Sequence, residues 1–177
     1  MYLALLRGIN VGGKNKLAMK DLSRLFVEAG CSEVRTFIQS GNVLFNAPRN
    51  GVKGLPDRIT RSIEKLAGFR IPVVLRTKDE LGHAIRNNPF VSAEVAEKTL
   101  HIYFLAAQPD EHAIAALDPK RSLPDRFAVR GREVYLQLPN GMARTKLTNA
   151  YFDSKLSTVS TARNWNTVMQ LYELMNA

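Results

Sequence analysis

A chain of 177 residues, 45% hydrophobic and 23% charged, has room for one substantial core or two small ones and the composition of a folded globular protein. Its net charge of +9 favours an acidic partner such as nucleic acid, nucleotide or phosphorylated metabolite. No apolar run reaches the roughly 18 residues of a spanning helix, Arg7 interrupts the opening apolar stretch before it resembles a signal peptide, and the lone Cys31 can form no internal disulfide; a cytoplasmic protein without membrane association is expected.

The chain opens with a strand, Tyr2 to Arg7, whose residues are apolar on both faces. Strands of that kind are covered on both sides. Gly8-Ile9-Asn10-Val11-Gly12-Gly13-Lys14 follows as a glycine-rich turn, suited either to an anion seat or to an ordinary strand exit. A helix then carries Met19, Leu22, Leu25, Phe26 and Ala29 on one stripe and ends at Gly30. Val34 to Ile38 and Asn42 to Phe45 read as strands joined by the turn Gln39-Ser40-Gly41. After a loop rich in Pro, Asn and Gly comes a helix striped with Ile59, Ile63, Leu66 and Ala67 and stopped by Gly68, then a strand from Ile71 to Arg76. Strand, helix, strand, strand, helix, strand is the ferredoxin-like split βαβ order.

A capping box, Thr77 with Glu80, announces a short helix that ends before Asn88-Pro89. The unit boundary is expected there, giving a basic unit over residues 1–90 and a second over 91–177. The first carries 15 Lys and Arg against 7 Asp and Glu; the second carries 10 against 9. In the second, Leu100 to Leu105 reads as a strand alternating better than the first one, with a helix after Pro109, strands Phe127 to Arg130 and Glu133 to Leu138 turning at Gly131-Arg132, and helices over 148–156 and 162–175. The expected fold is therefore α+β, two tandem ferredoxin-like (split βαβ) units with an added C-terminal helix, the last strand of the second unit unplaced.

Gly8, four residues, Gly13 and Lys14 spell the start of a phosphate-binding P-loop, but Asn15 replaces the metal-holding Ser or Thr and the helical stripe begins only at Met19. Nucleotide hydrolysis by that route is disfavoured. Thr161 reads as the N-cap of the final helix, which would put Arg163 and Asn164 in its first turn, where a cation opposes the macrodipole and an anion would relieve it. Since the end of the first strand and the start of the third meet in an antiparallel sheet, Arg7, Gly8, Asn10, Gly12 and Gly13 are expected near Ser40, Gly41 and Asn42. Should the final helix dock there, Arg163 and Asn164 complete a polar pocket for phosphate, carboxylate or a base edge.

Leu6-Arg7-Gly8-Ile9-Asn10-Val11-Gly12-Gly13, Ile38-Gln39-Ser40-Gly41-Asn42-Val43 and Thr161-Ala162-Arg163-Asn164-Trp165-Asn166-Thr167-Val168 together resemble a bacterial family known as domain of unknown function number 1697. The resemblance implies two ferredoxin-like units in tandem and no established activity, substrate or catalytic residue. Against the family pattern, Ser157 stands where glycine is usual and Ala162 where a second threonine is usual.

His83, His101 and His112 have no ligand spacing, so no metal or other cofactor is expected. Tyr103 and Tyr135 occupy central strands, where RNA-recognition modules of this topology place stacking aromatics, although the aromatic motifs of those modules are absent. The reading that results is a binder of an anionic ligand, nucleic acid or nucleotide. An enzyme acting on a small phosphorylated or carboxylated metabolite and a protein-interaction module are the alternatives.

Overall fold

The computed structural model describes residues 1–177, which divide into two compact units: residues 1–80 with 174–177, and residues 81–173. In the first, β1 (Tyr2–Leu6), α1 (Met19–Glu28), β2 (Ser32–Phe37), β3 (Asn42–Asn46), a one-turn α2 (Arg49–Val52), α3 (Leu55–Ala67) and β4 (Val73–Thr77) succeed one another. The strands form one antiparallel sheet in the order β2-β3-β1-β4. Ala4, Leu6, Val43, Phe45 and Val73 point to the side of α1 and α3, where Leu22, Phe26, Ile59 and Ile63 close a core without solvent access. Leu3, Leu5, Asn42, Leu44, Val74 and Arg76 on the opposite face are buried too. The apolar pattern of β1 thus reflects burial on both sides.

The helices stop where the sequence says they should. Gly68 takes a left-handed φ of 79° after α3, and Gly30 takes 88° just past α1. The capping box ahead of α4 (Lys78–Arg86) forms reciprocally: Thr77 N donates to Glu80 Oε2 at 2.7 Å and Glu80 N to Thr77 Oγ1 at 3.2 Å. α2 is absent from the sequence reading because Asn50-Gly51 has turn composition, yet Pro48 sets an extended backbone from which one helical turn can start.

The second unit contains β5 (Leu100–Leu105), α5 (Glu111–Ala115), β6 (Arg126–Arg130), β7 (Glu133–Gln137), α6 (Asn149–Leu156), β8 (Ser160–Asn164) and all but the last turn of α7 (Trp165–Asn176). Its sheet, β6-β7-β5-β8, repeats the first in order and sense. Two expectations need correction. β8 is the strand left unplaced: Ser160 to Asn164 pairs with β5 along Leu105 to His101, so the final helix begins at Trp165 and not at Ala162. Its cap is Asn164, whose Oδ1 accepts from Thr167 N at 2.8 Å, while Thr161 is buried mid-strand. The contrast drawn between the opening strands also fails, because Ile102, Phe104, Tyr103 and Leu105 are all buried and β5 has two covered faces as β1 does. No helix of the chain is long and apolar enough to cross a membrane.

Candidate functional site

The glycine-rich stretch folds as a small hairpin. Lys14 N donates to Val11 O at 3.0 Å and Asn10 N to Asn15 O at 3.1 Å, with Gly12 and Gly13 at φ 58° and 75° between them. Two successive positive φ values make a type I′ turn, which strongly favours glycine. This geometry excludes the P-loop: the Asn10 and Lys14 amides are spent on the hairpin, and α1 starts only at Met19.

What fixes the hairpin to the body is its base. Ile9 and Leu17 are buried on either side of it. Asn10 binds Leu17 through both ends of its amide, Nδ2 to the carbonyl and Oδ1 from the N–H, each at 2.9 Å, and also donates to Gln39 O at 3.1 Å. Asn15 Nδ2 donates to Gly8 O at 3.0 Å. Asn10, Asn15 and Ile38 all have positive φ, 54°, 49° and 50°. Asparagine tolerates that region; for a β-branched isoleucine it is strained, and such strain concentrates at working sites.

The turn between β2 and β3 lies where the antiparallel register requires. Asn42 sits opposite Leu5, and Leu6 N donates to Gly41 O at 2.8 Å. A Cβ on Gly41 would stand 2.8 Å from Leu6 Cβ and 3.0 Å from Ile9 Cδ1, so only glycine allows this approach. Asn42 is fully buried, its Nδ2 donating to Phe37 O at 3.1 Å and Ser40 Oγ at 3.0 Å. Arg7, Gly8, Asn10, Ser40, Gly41 and Asn42 are thus gathered at one end of the first sheet, but the amides of Asn10 and Asn42 are engaged in holding the backbone.

Beside the hairpin is an open depression of about 490 Å³ lined by Asn10, Gly13, Lys16, Leu17, Ala18 and Gln39. Ala18 is the N-cap of α1 and supplies no side-chain cap, so the first amides of that helix have none of the usual hydroxyl or carboxylate partners. Asp21 in the first turn is held by Arg24 at 3.4 Å. Lys16 lines the depression, and Lys14 and Lys20, near it in sequence, are exposed. Lys16 and Gln39 were not among the residues expected at the site.

Arg163 is elsewhere than expected. It is the penultimate residue of β8, 7% exposed, its Nη1 donating to Thr161 Oγ1 at 2.9 Å and to Ala162 O. Burial lowers its pKa to about 10. Arg76 occupies the matching place in β4, 1% exposed, with Nη1 donating to Leu75 O at 2.8 Å. The two buried arginines therefore repeat as structural elements of the duplicated topology, and the helix-start mismatch inferred from sequence does not exist. Asn164 is exposed and employed as the cap of α7.

Nor does either tyrosine offer a stacking platform. Tyr103 faces the helix side of its sheet, edge-on to Phe152 with its hydroxyl donating to Leu147 O at 2.9 Å, and burial raises its pKa. Tyr135 is 1% exposed and donates to Ala84 O at 3.0 Å. Cys31 is buried in the first core, which pushes its thiol pKa up and makes it a poor nucleophile. No group of three or more His, Cys, Asp or Glu residues is placed to hold a metal ion.

The family described as Protein of unknown function (DUF1697) matches residues 1–135, and the chain belongs to it. No curated protein matches the chain. Among solved structures, the conserved bacterial protein SP0830 from Streptococcus pneumoniae is similar with a TM-score of 0.70 at 19% identity, over 99% of this chain and 98% of that one. At that identity the likeness concerns the fold.

Proposed function

We propose that this DUF1697 family member binds an anionic ligand, nucleic acid or nucleotide, at the foot of the 10–15 hairpin in its first unit. The observation that carries the reading is the open depression bounded by Lys16, Asn10, Gln39 and the uncapped start of α1. Helix amides without a side-chain cap, flanked by ammonium groups, suit a phosphate oxygen better than any neutral group. The rest of the expected set frames that seat: Gly12 and Gly13 make the turn, Asn10 and Asn42 lock the backbone, and Gly41 lets the two chain segments approach. Arg7, Gly8 and Ser40 stand at the same sheet end.

Arg163 and Asn164 are left out of the proposed seat, being occupied in β8 and at the cap of α7. The lining contains no carboxylate, imidazole or thiol, which favours holding a ligand over transforming it. Because Tyr103 and Tyr135 are buried, a nucleic acid would be held through phosphates and the hairpin and not by bases stacked on a sheet. The element order and sheet topology support the finer fold reading of tandem ferredoxin-like (split βαβ) units over about 1–90 and 91–177, and we place the protein in the bacterial cytoplasm.

Fluorescence polarisation with short labelled RNA, single-stranded DNA, duplex DNA and a nucleotide, all at low salt, tests the proposal. Saturable binding to at least one is expected; failure to bind any of them would sink it.

A further inference from the structure

A second feature, in the unit with little net charge, has the geometry of a phosphate fork. Arg121 lies in the loop between α5 and β6 and is exposed. Its Nε donates to Lys146 O at 3.0 Å, and its guanidinium carbon sits 4.1 Å from the centroid of the Tyr151 ring. An exposed arginine ordinarily samples many rotamers; this one is fixed on one face by an aromatic ring and on one edge by a carbonyl. With Nε engaged, the two Nη groups are the donors left to a ligand.

The surroundings are equally fixed. Tyr151 is 8% exposed, its hydroxyl accepting from Asp118 N at 3.1 Å and its ring packed 5.1 Å from Phe152. Ser122 Oγ accepts from Lys146 N at 2.9 Å and donates to Asp125 Oδ2 at 2.7 Å, so the loop before β6 and the loop before α6 are cross-linked at the arginine. Of the carboxylates in these loops, Asp118 Oδ1 accepts from Lys120 N at 2.9 Å, and Asp125 is buried with Oδ2 held by Ser122 and Oδ1 left without a hydrogen-bond partner. Lys120, Arg144 and the ammonium of Lys146 are exposed beside them.

We propose that Arg121, with Lys146 next to it, is a seat for a phosphate group, either the phosphodiester of a nucleic-acid strand or a free phosphate. It is separate from the hairpin seat and does not depend on the function proposed there. A planar, preorganised guanidinium offers two parallel N–H donors to phosphate oxygens and loses little side-chain entropy on binding. Arg126, also over an aromatic ring, is held more loosely, 5.1 Å from Phe90, with its Nε on the side chain of Gln137.

The test is an NMR titration of the full chain that follows the Arg121 Nε–H signal in the wild type and the backbone amide signals of Ser122 and Lys146 in wild type and variants alike, with inorganic phosphate in one arm and a short oligothymidylate in the other. A saturable shift is expected, weakened roughly tenfold or more in Arg121→Lys, which keeps the charge but not the fork. Lys146→Ala, which leaves both backbone contacts in place, should weaken binding by about threefold. Lys16→Ala should leave the phosphate arm unchanged, which separates this seat from the first. Saturation by phosphate assigns the seat to a free phosphate group, and saturation by the oligonucleotide alone assigns it to a phosphodiester; both support the proposal. No saturable shift in either arm, or wild-type affinity in Arg121→Lys, overturns it.

Discussion

Replacing Gly41 by alanine should destabilise the first unit well beyond the ordinary effect of a glycine substitution. Two terms add. At φ 76° a Cβ meets its own carbonyl unfavourably, costing about 1–2 kcal/mol. The new methyl would also stand 2.8 Å from Leu6 Cβ and 3.0 Å from Ile9 Cδ1 and Cγ1, all buried, and overpacking of that kind costs about 1–3 kcal/mol. The expected loss is about 2–5 kcal/mol, a large part of the stability of a small domain. Gly12→Ala is the matched control, since its φ of 58° carries the same backbone strain but nothing lies within 4 Å of the added Cβ. Equilibrium urea unfolding followed by circular dichroism measures both, provided the m-value is unchanged. If Gly41→Ala and Gly12→Ala agree within about 0.5 kcal/mol, the close approach of the β2–β3 turn to β1 does not limit stability and the reasoning is refuted.

Asn10→Ala removes three hydrogen bonds that hold the hairpin base and should cost about 2–3 kcal/mol, whereas Asn15→Ala, which removes one exposed bond, should cost about 1 kcal/mol or less; the same unfolding assay decides. Asn164→Ala should cost about 1 kcal/mol by uncapping α7, and Thr161→Ser should leave that helix's cap untouched; equal helix fraying in hydrogen exchange would contradict the reassigned cap. His101 has its pKa lowered chiefly by burial, so the folded state binds fewer protons than the unfolded one between the lowered value and the ordinary 6.5. Stability should therefore rise with pH through that window and fall as pH drops below 6.5. His101→Gln should flatten this dependence in thermal melts from pH 5 to 7.5, and an undiminished slope would count against it.

Much of the architecture was legible because each signal had one physical meaning. The capping box at Thr77, glycines 30 and 68 and the Gly131-Arg132 turn marked ends that the structure retains. β8 was not legible. Ser-Thr-Ala-Arg-Asn shows no apolar alternation, because its buried positions are a serine, a threonine and an arginine satisfied by hydrogen bonds, and two cap-type residues, Thr161 and Asn164, compete for the start of the same helix. The approach of Leu6 to Asn10 to the turn at Gln39 to Asn42 followed from antiparallel register, but the work of the asparagine amides did not: the positions of asparagines along a chain cannot say whether they face a ligand or their own backbone. Lys16 and Gln39 stayed invisible because the wall they form depends on a hairpin anchored by Asn10, which reaches Gln39 across 29 residues.

The most direct test of the proposed seat is the salt dependence of nucleic-acid affinity for the wild type and for Lys14→Ala/Lys16→Ala. Removing one phosphate contact should reduce the log–log slope by about 0.7 on a single strand or 0.9 on a duplex. The double variant is expected to be shallower by roughly 1.5 and to bind more weakly at low salt. An unchanged slope and affinity would contradict binding at the foot of the hairpin.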